Sequence, residues 1–378
     1  MVSRMRLPEN HNHHLGHHAA MIYVLSIDWL SVFCIYAGKG DEWTPVESEQ
    51  FSYKKEDFGT RSFSRFHRAR IANAEGGWDE FAEIQSIPYS SILPPYAIIV
   101  RFTNRTLYMP NFWEIAFSFL EQNRIEIRGI SRIDLCADFN QFATMDPRSL
   151  IEGFAAKRLR HIGRGVGALN FDHQVKNGEY GVNYTGLTFG KHSSDAHVYL
   201  YNKSFELETQ GEKPWIRARW KNVGLDGRNV WRLEVSISRE GLKFKDKKSK
   251  QLIEVSSSMV SDLDSLDKIY HTFVTKLFSF VKNRDGIKNI TREPRIKLFD
   301  SRPAYDRGAI CNLSPGNRME RILIRQLWQM GDTYRGAYIY GAKEKARDFA
   351  EQIAASTGLW HWLEDKKEEW DSEPIIHK

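Results

Sequence analysis

Three short stretches carry ionisable side chains at alternate positions, the spacing that puts them on one face of a β-strand. In Ser131–Phe139, Arg132, Asp134, Cys136 and Asp138 share a face, and Ile133, Leu135, Ala137 and Phe139 share the other. In Asp195–Lys203, His197, Tyr199, Tyr201 and Lys203 oppose Ala196, Val198 and Leu200. In Val230–Ser238, Arg232, Glu234, Ser236 and Ser238 oppose Trp231, Leu233, Val235 and Ile237. Carboxylates and phenols gathered on one surface can exchange protons or supply a nucleophile, and arginines beside them can grip a phosphate or pair with the carboxylates. One such strand alone reads as half of a solvated sheet. Three of them, with tyrosine clustered beside aspartate, differ from solvated faces, which favour Lys, Glu and Thr.

The surrounding sequence must hold these strands side by side. Ile22–Tyr36, Ile98–Phe102 and Gly186–Gly190 read as further strands, and Pro110–Gln122 as a buried helix. Asp146 followed by Pro147 predicts an N-cap and a helix to about Leu159. Strands interspersed with helices, several of them consecutive, predict an α+β fold with a mainly antiparallel central sheet and flanking helices. Residues 1–20, with His11, His13, His14, His17 and His18, read as a disordered tail. The charge run Lys243–Lys250 places a boundary near residue 245, between a domain over 21–245 and a mostly helical region over 246–378. Helical patterns there fall at about Lys268–Lys282, Arg318–Gln329 and Ala342–Glu364. Gly163–Gly167 follows a helix rather than a strand, so it reads as a glycine-rich turn and not a phosphate loop.

Over 378 residues, 27% charged and 41% hydrophobic composition excludes global disorder. No stretch approaches the roughly 20 apolar residues of a membrane span, and Asp28 interrupts the apolar run Met21–Ile35. Cys34, Cys136 and Cys311 lie far apart without metal-ligand spacing, which predicts a reducing, cytoplasmic setting. The net charge of +6 is matched by Lys203–Lys250 alone, with 13 Lys/Arg against 7 Asp/Glu. Arg61–Arg70 interleaves four arginines with two phenylalanines, a mixture suited to backbone neutralisation and base stacking. Arg61, Arg65, Arg68, Arg70, Arg217, Arg219 and Lys221 are therefore candidate contacts to a polyanion, and Arg132 and Arg232 either hold a phosphate or pair with the neighbouring carboxylates.

The series SRIDLCADF, GLTFGKHSSDAHVYLYNKSFE and VWRLEVSISREG resembles the Rep_trans replication-initiation factors of rolling-circle plasmids, conjugative elements and filamentous phages. The likeness covers about Ile22–Arg239, including the opening IDWLSV. It implies a metal-dependent, strand-specific DNA endonuclease of a bacterial host, encoded by a phage or plasmid. In that chemistry a tyrosine attacks a phosphodiester, stays linked to the 5′ phosphate and leaves a 3′ hydroxyl that primes replication. The motif places the nucleophile immediately before Asn202-Lys203, at Tyr201, with Tyr199 as its rival. The resemblance implies origin DNA as partner, as single strand or hairpin, and leaves open a helicase or a second copy of the chain. A relaxase would use the same chemistry, and a non-catalytic DNA-binding regulator is the third reading.

A free tyrosine has a pKa of about 10, so ionising it near pH 7 costs roughly 4 kcal/mol. Lys203, expected on the same strand face, would clamp the phosphate or stabilise the phenolate. The His-x-His metal pair of other rolling-circle nucleases is absent from every strand-like segment, so carboxylates are the expected ligands for Mg²⁺ or Mn²⁺. Asp134 and Asp138 stand roughly 13 Å apart along a strand, so one of them, preferably Asp134, is expected to join Glu234.

Overall fold

Two antiparallel meanders meet along a pair of long strands. The computed structural model describes residues 21–299, apart from 39–41, 91–92, 164–166, 177–178, 192–193, 246–251 and 285–288. The first meander is β1 (Tyr23–Tyr36), β2 (Phe51–Lys55), β3 (Phe63–Ala72), β4 (Trp78–Pro88) and β5 (Ala97–Phe102), and β5 returns to pair with β1. After α1 (Asn104–Leu107) and α2 (Phe112–Gln122), β6 (Ile125–Phe139) begins the second. It continues through α3 (Pro147–Ala155), β7 (Leu159–His161), β8 (Gly167–Lys176), β9 (Glu179–Phe189), β10 (Ala196–Asn202), α4 (Lys203–Gln210), α5 (Pro214–Val223) and β11 (Trp231–Ser238). β11 returns to pair with β6, and β6 pairs with β1. Ten strands thus form one sheet in the order β2-β3-β4-β5-β1-β6-β11-β10-β9-β8. The predicted α+β class with a mainly antiparallel sheet is what forms.

The β-branched and aromatic residues of β1 and β6 favour extended backbone, and their alternation fixes which face is buried. Leu30, Val32, Ile133, Leu135, Ala137, Leu200, Leu233 and Val235 join the core with α2 and α3. So do Leu266, Ile269, Tyr270, Phe273 and Val274 of the later helix α7, introduced below. Asp146 caps α3 as predicted, accepting from the backbone N–H groups of Arg148 (2.8 Å) and Ser149 (3.3 Å). The helix ends at Ala155 rather than near Leu159, because Lys157 turns into left-handed backbone at φ 58° and the chain enters β7.

Beyond β11 come the short strands β12 (Lys243–Lys245) and β13 (Leu252–Glu254), then α6 (Ser257–Ser261), α7 (Leu263–Leu277) and β14 (Phe280–Lys282), which pairs with β7. α7 lies under the sheet, and the buried Tyr270 hydroxyl donates to the Leu233 carbonyl of β11 at 2.9 Å. The core therefore does not end near residue 245; it continues to Leu298 and Phe299. The charge run misled as a boundary: residues 246–251 lie outside the described residues, and the chain after them rejoins the same core. The patterns at Arg318–Gln329 and Ala342–Glu364, the histidine-rich segment and Cys311 lie outside the described residues.

On the opposite face, α4 and α5 cover one corner of the sheet. Leu207, Ile216, Trp220 and Leu225 pack there on Val24 and Val230 in a second apolar cluster. α5 starts with Pro214 and stops at Gly224, whose φ of 81° gives the left-handed turn a side chain would resist.

Candidate active site

Register brings the three polar faces together. Asp138 lies opposite Arg232, and Arg232 opposite Tyr201. On the next rung of that face, Cys136 lies opposite Glu234 and Glu234 opposite Tyr199. One rung further, Asp134 faces Ser236, which faces His197. The parity read from the sequence thus builds one continuous polar surface on β6, β11 and β10.

The Tyr201 hydroxyl donates to Glu234 Oε2 at 2.9 Å. Burial drives the Glu234 carboxyl up to about 7; the charge of Asp28 adds to this, Arg232 opposes it, and Asp134 adds again. Burial also holds the Tyr201 phenol well above its ordinary value, with Glu234 reinforcing the shift and Arg232 countering it. Both groups therefore favour the uncharged state while sharing a hydrogen bond. The Tyr199 phenol is raised too, first by burial and then by Glu234, with Arg132 pulling the other way.

Lys203 reaches this site by another route than expected. β10 ends at Asn202, whose side chain accepts from the Phe205 N–H at 2.9 Å and caps α4, so Lys203 opens the helix instead of extending the strand. Its buried ammonium pairs with Glu206 and stands 5.4 Å from the Tyr201 ring centroid. A solvated strand-end lysine is excluded.

Arg232 and Asp138 require correction. Arg232 is fully buried, so it cannot touch a DNA phosphate. Its Nε and Nη2 donate to the two Asp138 oxygens at 2.6 and 2.8 Å, Nη1 pairs with Asp28, and Nη2 also donates to the Tyr108 hydroxyl at 2.9 Å. Trp220 Nε1 donates to Asp138 Oδ2 at 2.7 Å. With both oxygens engaged below the surface, Asp138 is the anchor of an arginine and not an available metal ligand.

Asp28 is the site residue the sequence reasoning missed. It sits at an irregularity in β1 between Ile27 and Trp29. Besides Arg232, it accepts from Asn104 Nδ2 (3.0 Å) and the Tyr108 hydroxyl (3.2 Å). Burial works to raise its carboxyl, but Arg232, with Lys203 and Lys213 beyond, outweighs it and holds the group at about 2. The available signal was the charge itself, standing mid-way along an apolar strand.

The divalent ion that the resemblance implies can be tested against this donor set. Among the described residues no three His, Cys, Asp or Glu side chains converge. Mg²⁺ seldom needs such a cage: one or two carboxylates suffice when substrate phosphate and water complete its shell. Asp134 and Glu234 meet that requirement on one condition. Arg132, which occupies both Asp134 oxygens as Arg232 occupies those of Asp138, must release them, and unlike the sealed Arg232 it is exposed enough to do so. The two carboxylates share a face, and their mutual repulsion contributes to the Glu234 shift, a charge conflict that a cation relieves. Asp134 is already paired with Arg132, whose Nε and Nη2 donate to it at 2.9 and 2.6 Å.

The remaining expected DNA contacts fare unequally. Arg65 pairs with Glu42 at 2.9 Å and Arg217 with Glu212 at 2.7 Å. Arg68 is held by Glu56 (2.9 Å) and Glu80 (3.2 Å). Arg219 donates to the Leu25 carbonyl at 3.0 Å, fastening α5 to β1. Arg61 and Lys221 are exposed, and Arg70 is half-buried. The sequence alone does not disclose the carboxylates that meet Arg65, Arg68 and Arg217 in the fold.

No protein-family model and no curated protein matches this chain. Among solved structures it is similar to the rolling circle replication initiator protein from Geobacillus stearothermophilus, with a TM-score of 0.41 and 13% identity over 72% of this chain and 92% of that one. A likeness at that level leaves the site to be read from its own geometry. No helix among the described residues is long and apolar enough to cross a membrane.

Proposed function

We propose that the chain is a DNA strand-nicking enzyme that initiates rolling-circle replication, with Tyr201 as nucleophile. The observation that carries this reading is the hydrogen bond from the Tyr201 hydroxyl to Glu234, a carboxyl whose proton affinity lies near neutrality. Tyr201 Oη attacks the scissile phosphorus while its proton passes to Glu234 Oε2. The bond to the 3′ oxygen breaks and that oxygen takes a proton from water, leaving a 5′ phosphotyrosine and a 3′ hydroxyl. The Lys203 ammonium beside the ring and Arg232 beneath it offset the negative charge that develops on the phenol oxygen. Arg132, at the exposed side of Asp134, is placed to grip a phosphate oxygen. A Mg²⁺ or Mn²⁺ ion held by Asp134 and Glu234 would polarise the phosphate and offset the carboxylate charge. A mobilisation relaxase would use the same groups, and a transfer assay separates the two.

The test is incubation with candidate replicon DNA and Mg²⁺ or Mn²⁺, followed by peptide mapping of covalent adducts. Tyr201→Phe should bind DNA normally yet form neither nick nor adduct, whereas Tyr199→Phe should retain both. An adduct on Tyr199, or one surviving in Tyr201→Phe, would overturn the assignment.

A further inference from the structure

At the far end of the sheet, a cavity of about 390 Å³ is lined by Lys54, Glu56, Phe58, Arg68, Arg70 and Glu80. Its relation to the tyrosine follows from register. Arg68 lies opposite Glu83, Glu83 opposite Arg101, Arg101 opposite Ser31, and Ser31 opposite Arg132. Arg132 shares its face of β6 with Asp134, so Arg68 stands on the face of the sheet that carries Tyr201. β3 and β10 are six strand spacings apart, about 29 Å.

Two features of the cavity call for a ligand. Arg70 Nε is buried and has no hydrogen-bond partner among the described residues, and no carboxylate there forms an ion pair with Arg70. A buried guanidinium donor without an acceptor is costly, and an incoming anion removes the cost. Phe58 is 59% exposed, with its ring tilted 31° against Phe66 at a centroid separation of 5.7 Å. Arg68 ties up Glu56 and Glu80, and Lys54 also pairs with Glu56 at 3.5 Å, so the lining cations exceed its carboxylates by one charge, which falls to Arg70. An uncommitted cation beside an exposed ring is the pairing that single-stranded nucleic acid requires: phosphate on the charge, base on the π-face.

We propose that this cavity is a second DNA subsite. Arg70 takes a backbone phosphate, and Phe58 stacks on an unpaired base of the strand whose scissile phosphate lies at Tyr201. The inference rests on the nicking reading above and adds a specific place where the enzyme holds its substrate away from the chemistry.

The test is binding of fluorescein-labelled dT20 to the full chain across a salt titration. Even stacked at about 3.4 Å per nucleotide, this probe spans more than twice the distance between the sites. Phe58→Ala should weaken binding about tenfold, the order expected for one lost stacked base. Arg70→Ala should weaken it and make the log–log salt slope shallower by about 0.7, one phosphate contact on a single strand. As a measurement independent of variant folding, dT20 carrying 4-thiothymidine should photocrosslink to the wild-type tryptic peptide Glu56–Arg61, which contains Phe58. Failure of the wild type to bind dT20, unchanged binding in both folded variants, or crosslinks only elsewhere would overturn the subsite. If the variants weaken binding but no Tyr201 adduct forms on replicon DNA, the subsite stands and the nicking reading falls.

Discussion

Glu234 is protonated far more readily in the folded chain than a glutamate in water, and that asymmetry has a measurable consequence. A carboxyl raised from its ordinary value of 4.5 to about 7 stabilises the fold below the ordinary value, and the contribution is lost as pH rises towards 7. Ionised Glu234 therefore costs on the order of 2–3 kcal/mol above neutrality. Glu234→Gln should raise the melting temperature by several degrees at pH 8 in EDTA and change it little at pH 5, while abolishing adduct formation. Mg²⁺ or Mn²⁺ should raise the wild-type melting temperature at pH 8, and the gain should shrink in Glu234→Gln and Asp134→Asn. A calorimetric series with no pH-dependent difference between wild type and Glu234→Gln would show that the charge is not a burden. Residue types and parity made the polar face legible in the sequence. They did not show that Arg232 would be sealed beneath it, because burial depends on α1, α5 and the irregularity at Asp28.

At the scale of elements, Asp28, Asp138 and Arg232 join β1, β6 and β11, and Tyr108 and Trp220 bring the end of α1 and the middle of α5 onto the same charges. Removing the arginine strips Asp138 and Asp28 of the cation that contacts them both. Arg232→Met should cost about 3–5 kcal/mol, measured as a fall in the denaturation midpoint, and lowering the pH should recover part of that loss by protonating Asp28, which Arg232 no longer holds ionised. A loss below about 1 kcal/mol would mean that water reaches the network. Asn202→Ala should cost about 1 kcal/mol through loss of the α4 cap and should also displace Lys203 from Tyr201. Strand positions were readable because alternation is a local signal; β10 was expected over the residues it occupies. Its end was not read, since Lys203 looks like one more strand residue until the capping bond of Asn202 is seen.

Across the whole molecule, the region after β11 completes the core instead of standing apart from it. A chain ending at Lys245 loses α7 and with it Leu266, Ile269, Tyr270, Phe273 and Val274, so the underside of β10 and β11 is stripped. Such a truncation should show no cooperative thermal transition; a normal melt would restore the boundary expected from the charge run. The two meanders also determine how the protein can assemble. In each, the first strand waits for the last: β1 for β5, and β6 for β11. A chain leaving the ribosome can close the first five strands among themselves before β6 exists. The tyrosine strand β10 cannot find its carboxylate until β11 has emerged, and it stays unsupported from below until α7 follows. The half of the sheet that carries Tyr201 and Glu234 is thus the last to become rigid, and their hydrogen bond forms only when almost all of the described fold has been made.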